Sequence, residues 1–284
     1  MNNKLLIYCD GGFGNRFNSL ISGLTLAIKL NYKPVVYWPT SNACRASFNY
    51  LFTDFTEFTE VKPNPDNYCN IFHMPSLGTN KFYNLTTISS FSKIKELARG
   101  RDILFVCCLI PSFIMGELHE EFLVAKDMIR FEESLVSEAQ KCITENTSGS
   151  YFGMHLRKTD FGREAMTQSL EKSFRDAVVQ NPEKSYFICS DDKSTEVDLA
   201  EYSNVFRFPK TSYTRKYKDG LPWSGPRGYI KHSQGQDLAY NVERDSENVR
   251  QAIVDILILS KSSILIKNTG STFLDVAHLL KGKF

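Results

Sequence analysis

The chain has 284 residues, 42% hydrophobic and 23% charged, the balance of a folded globular protein and not of a disordered or fibrous one. That length suits two lobes, each able to bury its own core. A net charge of +2 argues against a protein built to coat nucleic acid, and no apolar run approaches the ~20 residues of a membrane-spanning helix.

In chain order, residues 4–9 form a short apolar run with the length of a buried strand, ending at Asp10-Gly11-Gly12-Phe13-Gly14-Asn15. Phe17, Leu20, Ile21, Leu24 and Ile28 then recur at helical spacing, which predicts a helix over about 16–30 with one apolar stripe. Residues 34–38 supply a second strand. Strand, helix and strand in this order imply a right-handed parallel crossover, the unit of doubly wound sheets. Residues 39–102 are irregular and broken by Pro63, Pro65 and Pro75, until 103–107 gives another strand.

The polar, small-residue stretch 144–150 reads as a linker, which divides the chain into lobes 1–145 and 146–284. Beyond it, strands are expected at 151–156, 185–189, 205–208 and 264–267, with helices near 164–180 and 247–260. Ser246 and Glu247 start the latter as a capped amphipathic helix. The fold class is therefore α/β with two similar halves, without sequence repeat between them.

Residues 207–231 carry the one marked local excess of charge, with Arg207, Lys210, Arg215, Lys216, Lys218, Arg227 and Lys231 against Asp219 alone. This reads as a solvated loop, or as one facing phosphate or an acidic acceptor. Seven cysteines without a CxxC pair give neither a zinc signature nor a disulfide framework, and the amino-terminal apolar run is too short for a signal peptide. A reducing cytoplasm is the expected setting.

Four strand ends could carry chemistry. In Tyr151-Phe-Gly-Met-His-Leu-Arg-Lys-Thr-Asp160 an apolar strand stops at two cations and a carboxylate, which cannot enter a core unpaired and which suit an anionic ligand as well as an ordinary ion pair. Gly11 to Gly14 lie between a strand and a helix, where backbone can approach a ligand. No Gly-Lys-Ser/Thr follows, so this is not a P-loop. A third glycine is missing near Phe17, and Trp38-Pro39 stand where a dinucleotide site would have an acid, so nicotinamide binding is not expected. Asp191 and Asp192 could cap a helix over 193–200, contact a ligand or bridge a metal. The turn 267–272, with Ser271 and Thr272, precedes a helix over 273–280 and could be a capped turn or a second anion site.

Taken together, Gly11-Gly-Phe-Gly-Asn-Arg16, His155-Leu-Arg-Lys-Thr-Asp160, Ser190-Asp-Asp192 and Asn268-Thr-Gly-Ser-Thr-Phe273 resemble the motifs of the GDP-fucose-dependent fucosyltransferase superfamily, in its order and over nearly the whole chain. The resemblance implies two Rossmann-like lobes of GT-B type, an inverting reaction without a metal or other cofactor, a GDP-sugar donor as co-substrate and a glycan acceptor. It places the donor in the second lobe and the acceptor on the side of the first.

By motif, Arg157 would hold the diphosphate, with Lys158 and Asp160 beside it. His155 and Asp255 would read guanine, Ser271 and Thr272 would complete the phosphate site beside Asp191 and Asp192, and Gly12, Gly14 and Asn15 would approach from the first lobe. Glu164 or Asp10 would be the base. Many members have a second arginine where Lys158 stands, and the α1,6-type enzymes a lysine where Phe161 stands. A transferase for another nucleotide sugar and a noncatalytic GDP- or glycan-binding protein are the competing expectations. The aromatic residues Tyr213, Tyr217, Trp223 and Tyr229 could stack on a sugar or belong to a surface loop.

Overall fold

A computed structural model describes residues 3–53, 55–72, 82–158, 164–216, 230–231, 237–238, 241–266 and 271–283. The chain separates into two compact units, residues 1–40 with 47–132, and residues 41–46 with 133–284. The break thus falls before the helix Glu133–Asn146 and not in the polar stretch that follows it.

The first unit is built on β1 (Lys4–Tyr8), α1 (Phe13–Leu30), β2 (Lys33–Tyr37), α2 (Phe48–Leu51), β3 (Glu57–Thr59), β4 (Cys69–Phe72), β5 (Tyr83–Asn84), α3 (Phe91–Ala98), β6 (Ile103–Val106), α4 (Ser112–Gly116) and α5 (His119–Met128). Its strands form one parallel sheet in the order β3-β2-β1-β6-β4-β5. The irregular-looking stretch 39–102 therefore contributes three of the six strands. They are short, from two to four residues, too short for a hydrophobic period to announce them.

Helix α1 begins at Phe13, four residues before its apolar stripe does. Gly12 is its N-cap, and the Arg16 N–H donates to the Gly12 carbonyl at 3.1 Å. Phe13 joins an aromatic cluster with Phe17, Trp38 and Phe52. At the other end Asn31 adopts the left-handed conformation and stops the helix.

The second unit contains α6 (Glu133–Asn146), β7 (Tyr151–Leu156), α7 (Glu164–Gln180), β8 (Ser185–Ser190), α8 (Lys193–Leu199), β9 (Val205–Phe206), β10 (Arg215–Lys216), β11 (Ile230–Lys231), β12 (Asp237–Leu238), β13 (Val242–Glu243), α9 (Ser246–Lys261), β14 (Ile264–Ile266) and α10 (Thr272–Leu279). Four strands form a parallel sheet in the order β14-β7-β8-β9, and β10 with β13 and β11 with β12 make antiparallel pairs. Helix α6 belongs here because Arg250 of α9 forks onto the Glu138 carboxylate, while Leu135, Ala139 and Cys142 are buried.

The cap of α9 is Asp245, not Ser246. Its Oδ1 accepts the Asn248 N–H at 2.6 Å, and Ser246 is the first helical residue. A carboxylate at this end also meets the positive helix terminus. Nearly every side of α9 is buried, and it presses on β7. A Cβ built on Gly153 would lie 2.9 Å from Leu259 Cδ2 and 2.9 Å from Ser262 Oγ.

Overpacking of this kind costs about 1–3 kcal/mol. Gly153→Ala is expected to lose that much stability in urea unfolding. An unchanged midpoint would show that β7 and α9 are not held at this distance.

Candidate active site

The sheet of the second unit is parallel, so its carboxyl ends lie along one edge, the place where open α/β sheets bind ligands. Strand β7 delivers His155, Arg157 and Lys158 to that edge, and β8 delivers Asp191 and Asp192. Arg157 is half-buried and Lys158 exposed. The Lys158 backbone N–H donates to Asp191 Oδ1 at 2.7 Å, which joins the two strand ends. The Lys158 ammonium pairs with Glu171 of α7 at 2.5 Å.

His155 is buried, and its ring stacks on Phe273 with centroids 4.4 Å apart. That contact ties the end of β7 to α10, whose N-cap is Ser271, with Oγ accepting the Leu274 N–H at 3.4 Å. Burial pushes the His155 imidazole from 6.5 down to about 3, against the opposing charge of Asp191 and with help from Arg157. The ring is neutral at pH 7, and its Nδ1 has no hydrogen-bond partner among the described residues.

Behind this edge lies a buried ionic cluster. The Lys210 ammonium donates to Asp255 Oδ2 at 2.8 Å and to the Ser190 carbonyl at 2.6 Å, and it pairs with Glu196. Glu196 accepts the Ser190 N–H at 2.5 Å and the Tyr213 hydroxyl at 2.6 Å. Burial would lower Lys210, but the carboxylates of Asp255 and Glu196 outweigh it and hold the ammonium above the ordinary lysine range. Burial raises Asp255 to about 7, against the pull of Lys210. Asp255 Oδ1 is buried and has no hydrogen-bond partner among the described residues.

Helix α9 places Lys210 by gripping the segment after it. Gln251 Oε1 accepts the N–H groups of Thr211 and Ser212 at 2.9 and 3.0 Å, and the Ser212 hydroxyl donates to Asp245. Among the described residues, no group of three or more His, Cys, Asp and Glu side chains is arranged to hold a metal, and no helix is long and apolar enough to cross a membrane.

No family model and no curated protein matches the chain in sequence. Among solved structures, the α-1,6-fucosyltransferase NodZ soaked with GDP-fucose matches it with a TM-score of 0.60 at 16% identity, over 99% of this chain and 93% of that one. The fucosyltransferase NodZ from Bradyrhizobium gives 0.60 at 17% identity, over 99% and 94%. POFUT1 in complex with GDP gives 0.53 at 13% identity, over 98% and 94%. The chain has the fucosyltransferase fold.

The two Rossmann-like lobes of GT-B type expected from the motifs are thus the architecture of the molecule. Within the second lobe of this fucosyltransferase fold, His155, Arg157, Lys158, Asp191 and Asp192 lie at adjoining strand ends. Ser271 and Thr272 reach them through the His155–Phe273 stack, and Asp255 does so through Lys210 and Ser190. Asp192 is the N-cap of α8, its Oδ2 accepting the Thr195 N–H at 2.9 Å and the Ser194 hydroxyl at 2.6 Å. Burial works to raise it, and these bonds from Ser194 and Thr195 bring it below the usual carboxylate range.

Gly12, Gly14 and Asn15 lie at the start of α1 in the first unit. Asp10, in the same unit, is exposed and accepts the Gly11 N–H at 2.6 Å. Asp160 and Phe161 lie outside the described residues, as do Tyr217, Trp223 and Tyr229. Glu164 opens α7.

Three further side chains belong to the site in roles that the sequence does not indicate. Lys210, in the stretch read as solvated or ligand-facing, is buried among carboxylates, and Tyr213 spends its hydroxyl on Glu196 and its ring face on Lys210, 5.0 Å away. Glu196 itself is fully buried. Its signal was its spacing to Leu199, which puts a carboxylate on the buried stripe of α8.

Because the folded protein disfavours a proton on His155, the stability this group contributes is complete above about pH 6.5 and is lost as pH falls through about 3. His155→Phe keeps the stack and removes the titration. Relative to this variant, the wild type should lose roughly 2–3 kcal/mol between about pH 7 and pH 4.5 in urea unfolding. Parallel pH curves would mean that the fold does not disfavour the proton on His155.

Proposed function

We propose that the protein is an inverting, metal-independent glycosyltransferase that moves fucose from GDP-fucose to a glycan acceptor in the cytoplasm. The observation that carries this reading is the pair of buried, unpartnered atoms His155 Nδ1 and Asp255 Oδ1 behind a strand end that ends in Arg157. A buried polar atom left unsatisfied costs about 1–3 kcal/mol, so these two are matched to a ligand that brings its own polar edge. Guanine has adjacent N–H donors for a carboxylate, and an arginine fork fits diphosphate oxygens. The motif resemblance and the neighbours soaked with GDP-fucose or crystallised with GDP support the same donor. That all seven cysteines are thiols and not disulfides supports a reducing compartment.

In the reaction, an acceptor hydroxyl oxygen bonds to the anomeric carbon as the bond from that carbon to the β-phosphate oxygen breaks, inverting the centre. The hydroxyl proton passes to a carboxylate, Glu164 or Asp10, and GDP leaves with the bonding electrons. Arg157 meets the charge that develops on the diphosphate. The hydroxyls of Ser271 and Thr272 add donors, since a capping oxygen that accepts a bond can still donate its own hydrogen.

Arg157→Ala should lower turnover on the order of 10²–10³-fold, the usual effect of deleting one donor to developing charge. A folded variant within a few-fold of wild type would remove Arg157 from this role. Calorimetry with GDP followed by GDP-release assays across GDP-fucose, GDP-mannose and UDP-sugars tests the donor. Release from UDP-sugars alone, or no GDP binding, would sink the reading. Between the two carboxylates, Glu164→Gln or Asp10→Asn should abolish transfer with GDP binding intact, and full activity in both would exclude them as the base.

A further inference from the structure

The Lys210 side chain is only 5% exposed and touches two carboxylates, of which one, Asp255, belongs to the guanine site proposed above. The cluster's carboxylate oxygens are not equivalent. Glu196 Oε1 is taken by the Ser190 N–H and by Lys210, Glu196 Oε2 by the Tyr213 hydroxyl, and Asp255 Oδ2 by Lys210. Asp255 Oδ1 remains without a partner among the described residues, and it is buried.

Lys210 has little freedom to be elsewhere. The Ser190 carbonyl holds its ammonium at 2.6 Å, the Tyr213 ring lies against it, and Gln251 ties down the two residues that follow.

We infer that Lys210 is a positioning residue for base recognition: by occupying Oδ2 of Asp255 it fixes the carboxylate and reserves Oδ1 for an N–H donor on the base. The inference rests on the GDP reading above and deepens it into a rule of selectivity. Above about pH 7, where Asp255 is ionised, its carboxylate accepts hydrogen bonds and donates none. Guanine offers adjacent N1–H and N2–H donors on its Watson–Crick edge, whereas adenine has only its 6-amino donor there and puts an unprotonated ring nitrogen where guanine has N1–H, so a base seated as guanine is would set acceptor against acceptor. Without Lys210 the buried carboxyl would gain its own proton more readily, becoming a donor and losing this preference.

Lys210 therefore serves the base and not the diphosphate. A lysine that merely held the fold together would, when removed, weaken all nucleotides alike, because they share the diphosphate.

The test compares GDP and ADP binding by calorimetry in the wild type, in Lys210→Met/Glu196→Gln and in Lys210→Gln. The double substitution removes the cation together with Glu196, so that Asp255 is the one carboxylate of the cluster left without its cation. Lys210→Gln keeps a donor without the charge and serves if the double variant does not fold. GDP affinity should fall about 10-fold or more in the double variant, the size of one charge-assisted hydrogen bond, and by a smaller factor in Lys210→Gln. ADP binding should hold or strengthen in both, because a protonated Asp255 can donate to the adenine ring nitrogen. A folded variant that keeps the wild-type ratio of GDP to ADP affinity overturns the role of Lys210 and leaves the proposed function standing. A wild type with no preference for GDP overturns both.

Discussion

The ionic cluster of Lys210, Glu196 and Asp255 joins three parts of the second lobe that no strand pairing connects: the segment after β9, helix α8 and helix α9. Each charge would cost several kcal/mol to bury alone, so the three positions depend on one another. Replacing such a cluster with apolar side chains of similar volume is often neutral or stabilising, so stability is a weak explanation for it. The arrangement accounts better for shape. It pins Ser190 at the end of β8 through both its N–H and its carbonyl, and it leaves one carboxylate oxygen unpaired beneath the strand ends.

The edge above the cluster is organised by bonds that belong to the scaffold. Asp191 accepts the Lys158 N–H, Asp192 caps α8, Ser271 caps α10 and the Lys158 ammonium goes to Glu171. These residues were weighed as ligand contacts because polar side chains at strand ends look alike in sequence whether they hold a helix or a phosphate. Carboxylates that cap helices position backbone N–H groups and take no phosphate themselves, while a capping serine keeps a hydrogen to donate. In the proposed function the diphosphate is assigned to Arg157, whose planar guanidinium can meet two oxygens at once.

The first lobe shows a different economy of charge. Arg16 is fully buried, yet it serves the backbone: its Nε donates to the Gly11 carbonyl at 2.7 Å, an Nη donates to the Pro39 carbonyl at 2.6 Å, and its guanidinium lies 5.1 Å from the Trp38 ring centroid. It braces the glycine turn that precedes α1. The turn's conformation thus comes from an arginine one helical turn further on as well as from its glycines.

What the sequence determined by itself was the α/β class, the long elements and the residues at the ends of β7, β8 and β14, because apolar runs that stop at glycines and charges are local signals. Asp255 was indicated only by the resemblance of its segment to the fucosyltransferase motifs. The three short strands in 39–102, the assignment of α6 to the second unit and the burial of Lys210 and Glu196 were decided by tertiary structure. A strand of two to four residues is made by the neighbours it pairs with. A lysine in a basic stretch looks solvated until carboxylates distant in the chain close around it, Glu196 and Asp255 lying 59 residues apart in number and meeting on one ammonium.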